Sequence, residues 1–400
     1  MFVKEKGDTF GAAALSVQHW RNVEDARRAA RRKIPRPIFD YMDGGADDEI
    51  ALGRNCSSFN RYAIVPRVLN VSESIRLETK VLGSTFALPL LLSPTGLTRM
   101  FHDDAELAVA KAAAARGLGY CLSTMGTTSI EELAAASNGP KFFQIYIFKD
   151  RGLTREFVER ARAQRYDALI LTVDTPVAGN RERDRANGLS LPPRLNVKSL
   201  LGFAAHPRWA LGALSGSRFN FANVAHRVDG LANGPVSLFR YIEDQFDPFI
   251  SWRDLEQVAD MWGGPLAVKG IMAIDDSRRA IDRGATAIML SNHGGRQLGV
   301  APAPVDIISR HADVIQGSAE IICDGGIRRG SDVIAALALG ATACSIGRPY
   351  LYGLAGGGEA GVGRVLDILS DEMKRTMMLA GAESQADLER ATIMAMPSAA

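Results

Sequence analysis

Four hundred residues, 46% hydrophobic and 23% charged, suffice for one large α/β domain or two smaller ones, and exclude a disordered or fibrous chain. A formal net charge of +2 gives no reason to expect a nucleic-acid partner beyond a local basic patch. Cys56, Cys121, Cys323 and Cys344 are scattered without a CxxC pair, which excludes a zinc motif and a disulfide framework and favours a reducing compartment. No apolar run approaches the length of a bilayer span, and the N-terminus lacks the apolar block of a secretory signal, so a cytoplasmic location is expected.

In chain order, residues 1–19 read as a loose tail. An Arg/Ala-rich helix starts at Val23 and ends near Pro35 and Pro37; Glu24 and Asp25 argue against a mitochondrial transit segment there. Phe39 to Met42 reads as a short helix running into Gly44-Gly45. From Leu88 onward short apolar runs alternate with polar ends and amphipathic helices, the pattern of successive βα units. Eight candidate strands lie at 88–93, 120–124, 142–146, 168–174, 266–269, 287–292, 320–324 and 343–347. Helices are expected over 104–116, 130–136, 154–164, 274–283 and 331–339. Eight such units close most naturally into a (β/α)8 barrel, an α/β fold in which chemistry sits at the C-terminal strand ends. The expected organisation is one barrel domain over 20–390 and a short tail over 391–400.

One connection is far too long: the chain between Asp174 and Trp252 replaces a usual loop of about 2–6 residues. Residues 177–250 therefore read as an inserted lid, interface arm or docking surface. From Arg181 to Gly230 it carries a local excess of five positive charges. Leu200, Leu201, Phe203, Trp209, Leu211, Phe219 and Phe221 interleave with those charges, a mixture that suits either an interfacial membrane segment or a loop packed on a neighbouring subunit. After the last strand, 350–363 is glycine-rich and 365–379 reads as a closing helix. The glycine spacing in GLAGGGEAG does not fit a dinucleotide fingerprint.

The strand ends carry the chemistry. Asp324-Gly325-Gly326 with Arg328, and Gly347 with Arg348, end strands seven and eight, where barrels bind phosphate through backbone N–H groups. His293, at the end of the sixth strand in LSNHGGRQL, suits general-base work, with Asp174 on another strand end to orient it. Arg296 and, beyond strand four, Arg181 suit a bidentate grip on a carboxylate. A base beside two arginines fits an anionic substrate that loses a proton next to its carboxylate; if Lys269 lies beneath a flavin's pyrimidine edge, its charge would stabilise the anionic reduced ring.

SNHGGRQ at 291–297, LTVDTP at 171–176, DGGIRRGSD at 324–332, FFQIY at 142–146 and SPTG at 93–96 resemble the FMN-dependent 2-hydroxy-acid oxidases and dehydrogenases, over about Val23 to Leu388. VAGNRERD at 177–184 and HPRWAL at 206–211 look most like membrane-associated bacterial mandelate and lactate dehydrogenases. The resemblance implies oxidation of an (S)-2-hydroxy acid to the 2-oxo acid, with His293 as base and Asp174 as its partner. It places Tyr41, Arg181 and Arg296 on the substrate carboxylate and Tyr146 on the substrate hydroxyl. FMN would lie against Pro94, Thr95, Gly96, Ser123, Gln144, Thr172, Lys269 and Ser291, with its phosphate at Asp324, Gly325, Gly326, Arg328, Gly347 and Arg348. The α-hydrogen leaves either as a proton or as hydride after deprotonation of the hydroxyl; the resemblance is compatible with both.

Met125 stands where glycolate oxidases carry tryptophan, which suggests an adaptable side-chain pocket. Gly299 replaces an aspartate common in the family and is expected to loosen its loop. The resemblance further implies a homotetramer and no metal. A quinone or other respiratory carrier at the membrane is the expected electron acceptor, with dioxygen as the alternative. A non-redox FMN isomerase does not need the full set of His, Arg and Tyr residues, and a barrel that only binds a ligand needs no base. An inosine-monophosphate-dehydrogenase-like reading lacks a cysteine in a suitable rim loop.

Overall fold

The computed structural model describes residues 16–70, 74–188, 202–214, 221–227, 241 and 244–396. Three short strands, β1 (Tyr62–Ile64), β2 (Thr79–Val81) and β3 (Ser84–Phe86), precede the barrel. The barrel strands are β4 (Leu90–Leu92), β5 (Tyr120–Ser123), β6 (Lys141–Ile145), β7 (Ala168–Thr172), β8 (Leu266–Ile271), β9 (Ala287–Ser291), β10 (Glu320–Asp324) and β11 (Ala343–Ile346). They pair in parallel in sequence order and close, β11 meeting β4, so the expected (β/α)8 barrel is the observed fold. Seven of the eight strands end one to two residues short of, or beyond, the span expected from sequence; β10 matches it.

Side chains alternate across a strand with a period of two. Leu91, Cys121, Phe142, Ile170, Ala267, Met289, Ile322 and Ala343, one from each barrel strand, belong to one inner apolar cluster. The β2–β3 hairpin adds Val81, Leu82 and Phe86 to it. Two residues further along each strand stand Ser93, Ser123, Gln144, Thr172, Lys269, Ser291, Asp324 and Ser345, all buried. The same alternation that fills the barrel with apolar side chains thus crowns it with a complete ring of polar ones.

Three expectations change. The glycine-rich stretch over 350–363 is helical, part of a helix Arg348–Ala380 kinked at Gly358, where φ is +61°. Its glycines permit close packing: a Cβ on Gly356 would lie 2.9 Å from Trp20, and one on Gly353 would lie 2.5 Å from the Gly361 carbonyl oxygen. Residues 393–395, expected in the C-terminal tail, form β12 (Ile393–Ala395), antiparallel to β1. Gly299 does not loosen its loop: its carbonyl accepts from Ala51 N at 2.8 Å, and a Cβ there would lie 2.4 Å from the Asp47 carboxylate.

Within the insertion, the helix Pro207–Leu214 lies on the barrel, with the Trp209 indole N–H donating to the Met100 carbonyl at 2.8 Å. Trp209 and Phe221 are buried and Phe203 stacks on Trp209, so these aromatics are core; Leu211 is exposed. Leu200, Leu201 and Phe219 lie outside the described residues. No helix among the described residues is long and apolar enough to cross a membrane.

Candidate active site

The polar ring is wired together on one side. The Asp324 carboxylate accepts from Ser93 Oγ at 2.6 Å and from Ser291 Oγ at 2.7 Å, while Ser345 and Ser93 share a hydroxyl contact. The Lys269 ammonium donates to Ser291 Oγ at 3.0 Å and lies 3.1 Å from Asp324 Oδ2. Burial alone would depress the Lys269 pKa, but Asp324 and Asp174 raise it above the ordinary lysine value, so the ammonium is charged at the barrel mouth. Burial would likewise raise Asp324, and Lys269 holds it low. Asp324, expected at the phosphate, turns its side chain to Lys269 instead; a carboxylate there opposes a phosphate and suits an ammonium.

On the opposite side of the ring Ser123 Oγ donates to Gln144 Oε1 at 2.8 Å and accepts from Met125 N at 3.1 Å. Gln144 Nε2 is buried with no partner among the described residues. A buried amide left unsatisfied costs about 1–3 kcal/mol, so this donor is aimed at something the polypeptide does not supply. Thr172 is buried in the same layer. Pro94, Thr95 and Gly96 follow β4: Thr95 Oγ1 lies 2.8 Å from the Tyr350 hydroxyl, and a Cβ on Gly96 would lie 2.9 Å from Met125 Cβ. The SPTG turn and Met125 therefore pack as one wall.

Above the ring, His293 Nδ1 lies 2.9 Å from Asp174 Oδ1, which leaves Nε2 for the cavity. The contact depends on unusual backbone. His293, Gly294 and Gly295 have φ of +56°, +66° and +76°, and a non-glycine residue held left-handed at a strand end marks a functional turn. His293 N also donates to Ser291 Oγ at 3.1 Å, tying the loop to the ring. Asp174 sits against a register shift between Lys269 and Ile271, and a Cβ on Gly270 would lie 2.5 Å from Asp174 Cβ. Burial pushes the Asp174 pKa up, but His293 and Lys269 outweigh it and hold the carboxyl below its ordinary range.

The carboxylate grip assembles around Tyr41, from the helix Arg36–Asp43. The Arg296 and Arg181 guanidinium carbons lie 5.0 and 5.8 Å from its ring centroid, within cation–π range. Arg296 Nη1 donates to the carbonyls of Tyr41 at 2.7 Å and Gly44 at 3.1 Å. Burial and the neighbouring Arg181 push the Arg296 pKa down to about 10. The Tyr146 pKa is raised by burial and then by Asp174 and Tyr41; Arg181 and Arg296 partly offset this, so the phenol stays protonated as a donor. Phe246 packs edge-on against Tyr146 at 5.1 Å.

At the far end, Gly325 and Gly326 adopt φ of +133° and +84°, and a Cβ on Gly326 would lie 2.0 Å from the Asn55 carbonyl oxygen. Around Gly347 the nearest side chains, Ser93 and Thr95, stand 3.8 Å from an ideal Cβ, so Gly347 sits against the SPTG turn. Arg328 donates to the Ile327 carbonyl at 2.8 Å, makes no ion pair among the described residues, and lines a cavity of about 490 Å³. Arg348 is used differently: it donates to the carbonyls of Met42 at 3.1 Å, Gly294 at 2.8 Å and Gly44 at 2.7 Å. It laces the N-terminal helices to the His293 loop. The Arg328 guanidinium two residues past Gly326, a buried ammonium and an orphaned amide donor fit a flavin with a terminal phosphate.

Three contributors had no individual role assigned from the sequence. Ser345 completes the polar ring, and its only signal was its place two residues beyond Ala343. Tyr350 donates to the Ser93 carbonyl at 2.7 Å and buttresses SPTG, from inside the glycine-rich stretch. Asp184 lies 2.9 Å from Arg181 Nε and 4.0 Å from Arg296 Nη2.

A family profile described as FMN-dependent dehydrogenase matches residues 30–395. An L-lactate dehydrogenase of Stenotrophomonas maltophilia (strain K279a) is 40% identical over 374 residues, covering 93% of this chain and 98% of the relative. An L-lactate oxidase of Nostoc sp. is 44% identical over 374 residues, covering 92% of this chain and 96% of the relative. Among solved structures, that of the monotopic membrane protein (S)-mandelate dehydrogenase superposes with a TM-score of 0.88 at 34% identity, covering 94% of this chain and 100% of that one.

Proposed function

This chain belongs to the FMN-dependent dehydrogenase family, and from that membership we propose that it oxidises an (S)-2-hydroxy acid of the lactate or mandelate kind to the 2-oxo acid. The observation that carries the reading is the convergence of an aspartate-held histidine and two arginines over a polar ring that fits FMN. FMN, when bound, accepts the two electrons of the oxidation.

The residues divide the remaining work. Arg181, Arg296 and Tyr41 hold the substrate carboxylate, with both guanidinium groups packed over the Tyr41 ring. The Tyr146 hydroxyl, protonated and buried, donates to the substrate oxygen and fixes which face of the carbon is presented. His293 Nε2 takes the proton released as the CH–OH group is oxidised, and Asp174 stabilises the resulting imidazolium at 2.9 Å. Lys269 would hold the flavin with a fixed positive charge and so favour its reduction, and Asp324 keeps that ammonium protonated and aimed. Pro94, Thr95, Gly96, Ser123, Gln144, Thr172 and Ser291 bind the flavin edge. Gly325, Gly326, Arg328 and Gly347 bind the phosphate, while Arg348 positions the loops around it. Met125 lines the substrate side-chain pocket. Replacing His293 with Gln should leave FMN bound and abolish anaerobic reduction by substrate; fast reduction by that variant would contradict the assignment.

For the electron acceptor we propose a quinone or another respiratory carrier, reached by a homotetramer resting peripherally on the cytoplasmic face of the inner membrane. The support is the likeness to a monotopic membrane enzyme and the basic insertion over 177–250. The 44% identity to an L-lactate oxidase favours dioxygen as the second reading. Cell fractionation of the full chain against L211E, which alters an exposed residue of the insertion and leaves the buried Trp209 and Phe221 in place, tests the membrane contact: loss of membrane association supports the first. Unchanged association counts against a membrane role for the insertion, and rapid peroxide formation in air supports the second. Light scattering on the holoenzyme tests the tetramer.

A further inference from the structure

Two guanidinium groups side by side in a buried site repel each other, and burial removes the water that would screen them. Arg181 and Arg296 are such a pair, each over the Tyr41 ring. Asp184 is buried with 5% exposure, and one carboxylate oxygen lies 2.9 Å from Arg181 Nε and 4.0 Å from Arg296 Nη2. It stands on the short helix Glu182–Ala186, one turn after Arg181. That helix is pinned to the N-terminal segment: Asn187 donates to Asp40 at 2.9 Å, Asn180 donates to Asp47 at 2.8 Å, and Arg183 pairs with Glu49. Asp184 is therefore held in place independently of either arginine.

We infer that Asp184 is a positioning and charge-setting residue: shared by the two carboxylate-gripping arginines, it turns their outer edges toward the substrate and leaves the trio with a single positive charge. This rests on the proposed roles of Arg181 and Arg296. One positive charge matches one carboxylate, so the trio selects a monoanionic acid over an acid with a second carboxylate. Without Asp184 two positive charges face the cavity, and a dianion gains relative to a monoanion.

The test uses oxidised holoenzyme and ligands of equal shape that are not turned over. Dissociation constants are read from the flavin absorbance change on adding 5-methyl-2-oxohexanoate, a monoanion, or 2-oxoglutarate, its dianionic isostere. In D184N, with flavin content and Tm near those of the unaltered enzyme, preference should shift toward 2-oxoglutarate by at least ten-fold, while D184E keeps the original preference. A ratio within two-fold of the original in D184N overturns the role of Asp184 and leaves the site reading standing. If neither acid binds the unaltered holoenzyme, the site reading falls and this inference with it. If D184N is not recovered folded, the unaltered enzyme and D184E decide: both must bind the monoanion at least ten-fold more tightly, and equal affinities overturn the inference.

Discussion

Replacing Asp174 with Asn removes one negative charge from the imidazole that must become positive, while keeping a side chain of the same shape. At the 2.9 Å separation of His293 Nδ1 and Asp174 Oδ1, an effective dielectric constant of about 20 gives an upper bound of about 6 kcal/mol for that charge pair. The His293 side chain is 25% exposed, and asparagine retains a neutral hydrogen bond, which together reduce the expected loss to about 3–4 kcal/mol. That corresponds to a fall of about 10²–10³ in the rate of flavin reduction. The assay is anaerobic stopped-flow reduction by an (S)-2-hydroxy acid, with flavin content and Tm measured alongside. Because Asp174 is ionised above its lowered pKa, the deficit should persist across the neutral range. A D174N enzyme that retains FMN and reduces within ten-fold of the original rate would refute the argument that this carboxylate stabilises the imidazolium.

Lys269→Met leaves the Asp324 carboxylate buried beside two serine hydroxyls and without its counter-charge, a loss of about 3–5 kcal/mol; a lowered urea midpoint and weakened FMN retention are expected in equilibrium unfolding and flavin-release measurements. Gly179→Ala would put a Cβ 2.0 Å from the Arg296 carbonyl oxygen, forcing the loop apart at a cost of about 1–3 kcal/mol. Its KM for substrate should rise by more than its kcat falls. The His311 imidazole is fully buried, 2.9 Å from Ser277 Oγ, and burial holds its pKa below the ordinary histidine value. The unfolded chain therefore takes up that proton first, and stability falls as pH drops below about 6.5, by at most about 1.4 kcal/mol per pH unit, until the lowered folded-state pKa is passed. Tm measured between pH 7.5 and 5 should fall less steeply in H311Q than in the unaltered protein.

The barrel was legible because its strands are buried on both faces and read as unbroken apolar runs ending in polar residues. Runs such as Ala287–Leu290 leave no alternation to misread, and the polar burst after them marks the rim. His293, Asp174 and Lys269 were visible for the same reason, each standing at or just past a strand end. Asp184 was not, because its partners Arg181 and Arg296 meet only when the loops after β7 and β9 fold onto each other. Nothing in a run of alternating charges tells a shared counter-ion from a solvated face. Arg348 looked like a phosphate ligand from its place after β11, yet the carbonyls it holds belong to residues 42, 44 and 294. The strand β12 escaped notice because three residues carry no periodic signal. The glycine-rich helix did so because glycine's low helix propensity is overridden where Trp20 demands close approach.

If the polar ring and the His293 loop act as one site, FMN bound there takes up the electrons of an (S)-2-hydroxy acid. Purified holoenzyme, mixed without oxygen with (S)-lactate or (S)-mandelate, should lose its yellow absorbance within the mixing experiment, and the (R) enantiomers should leave it oxidised. A preparation that cannot be loaded with FMN, or a loaded one that neither enantiomer bleaches, would contradict the account.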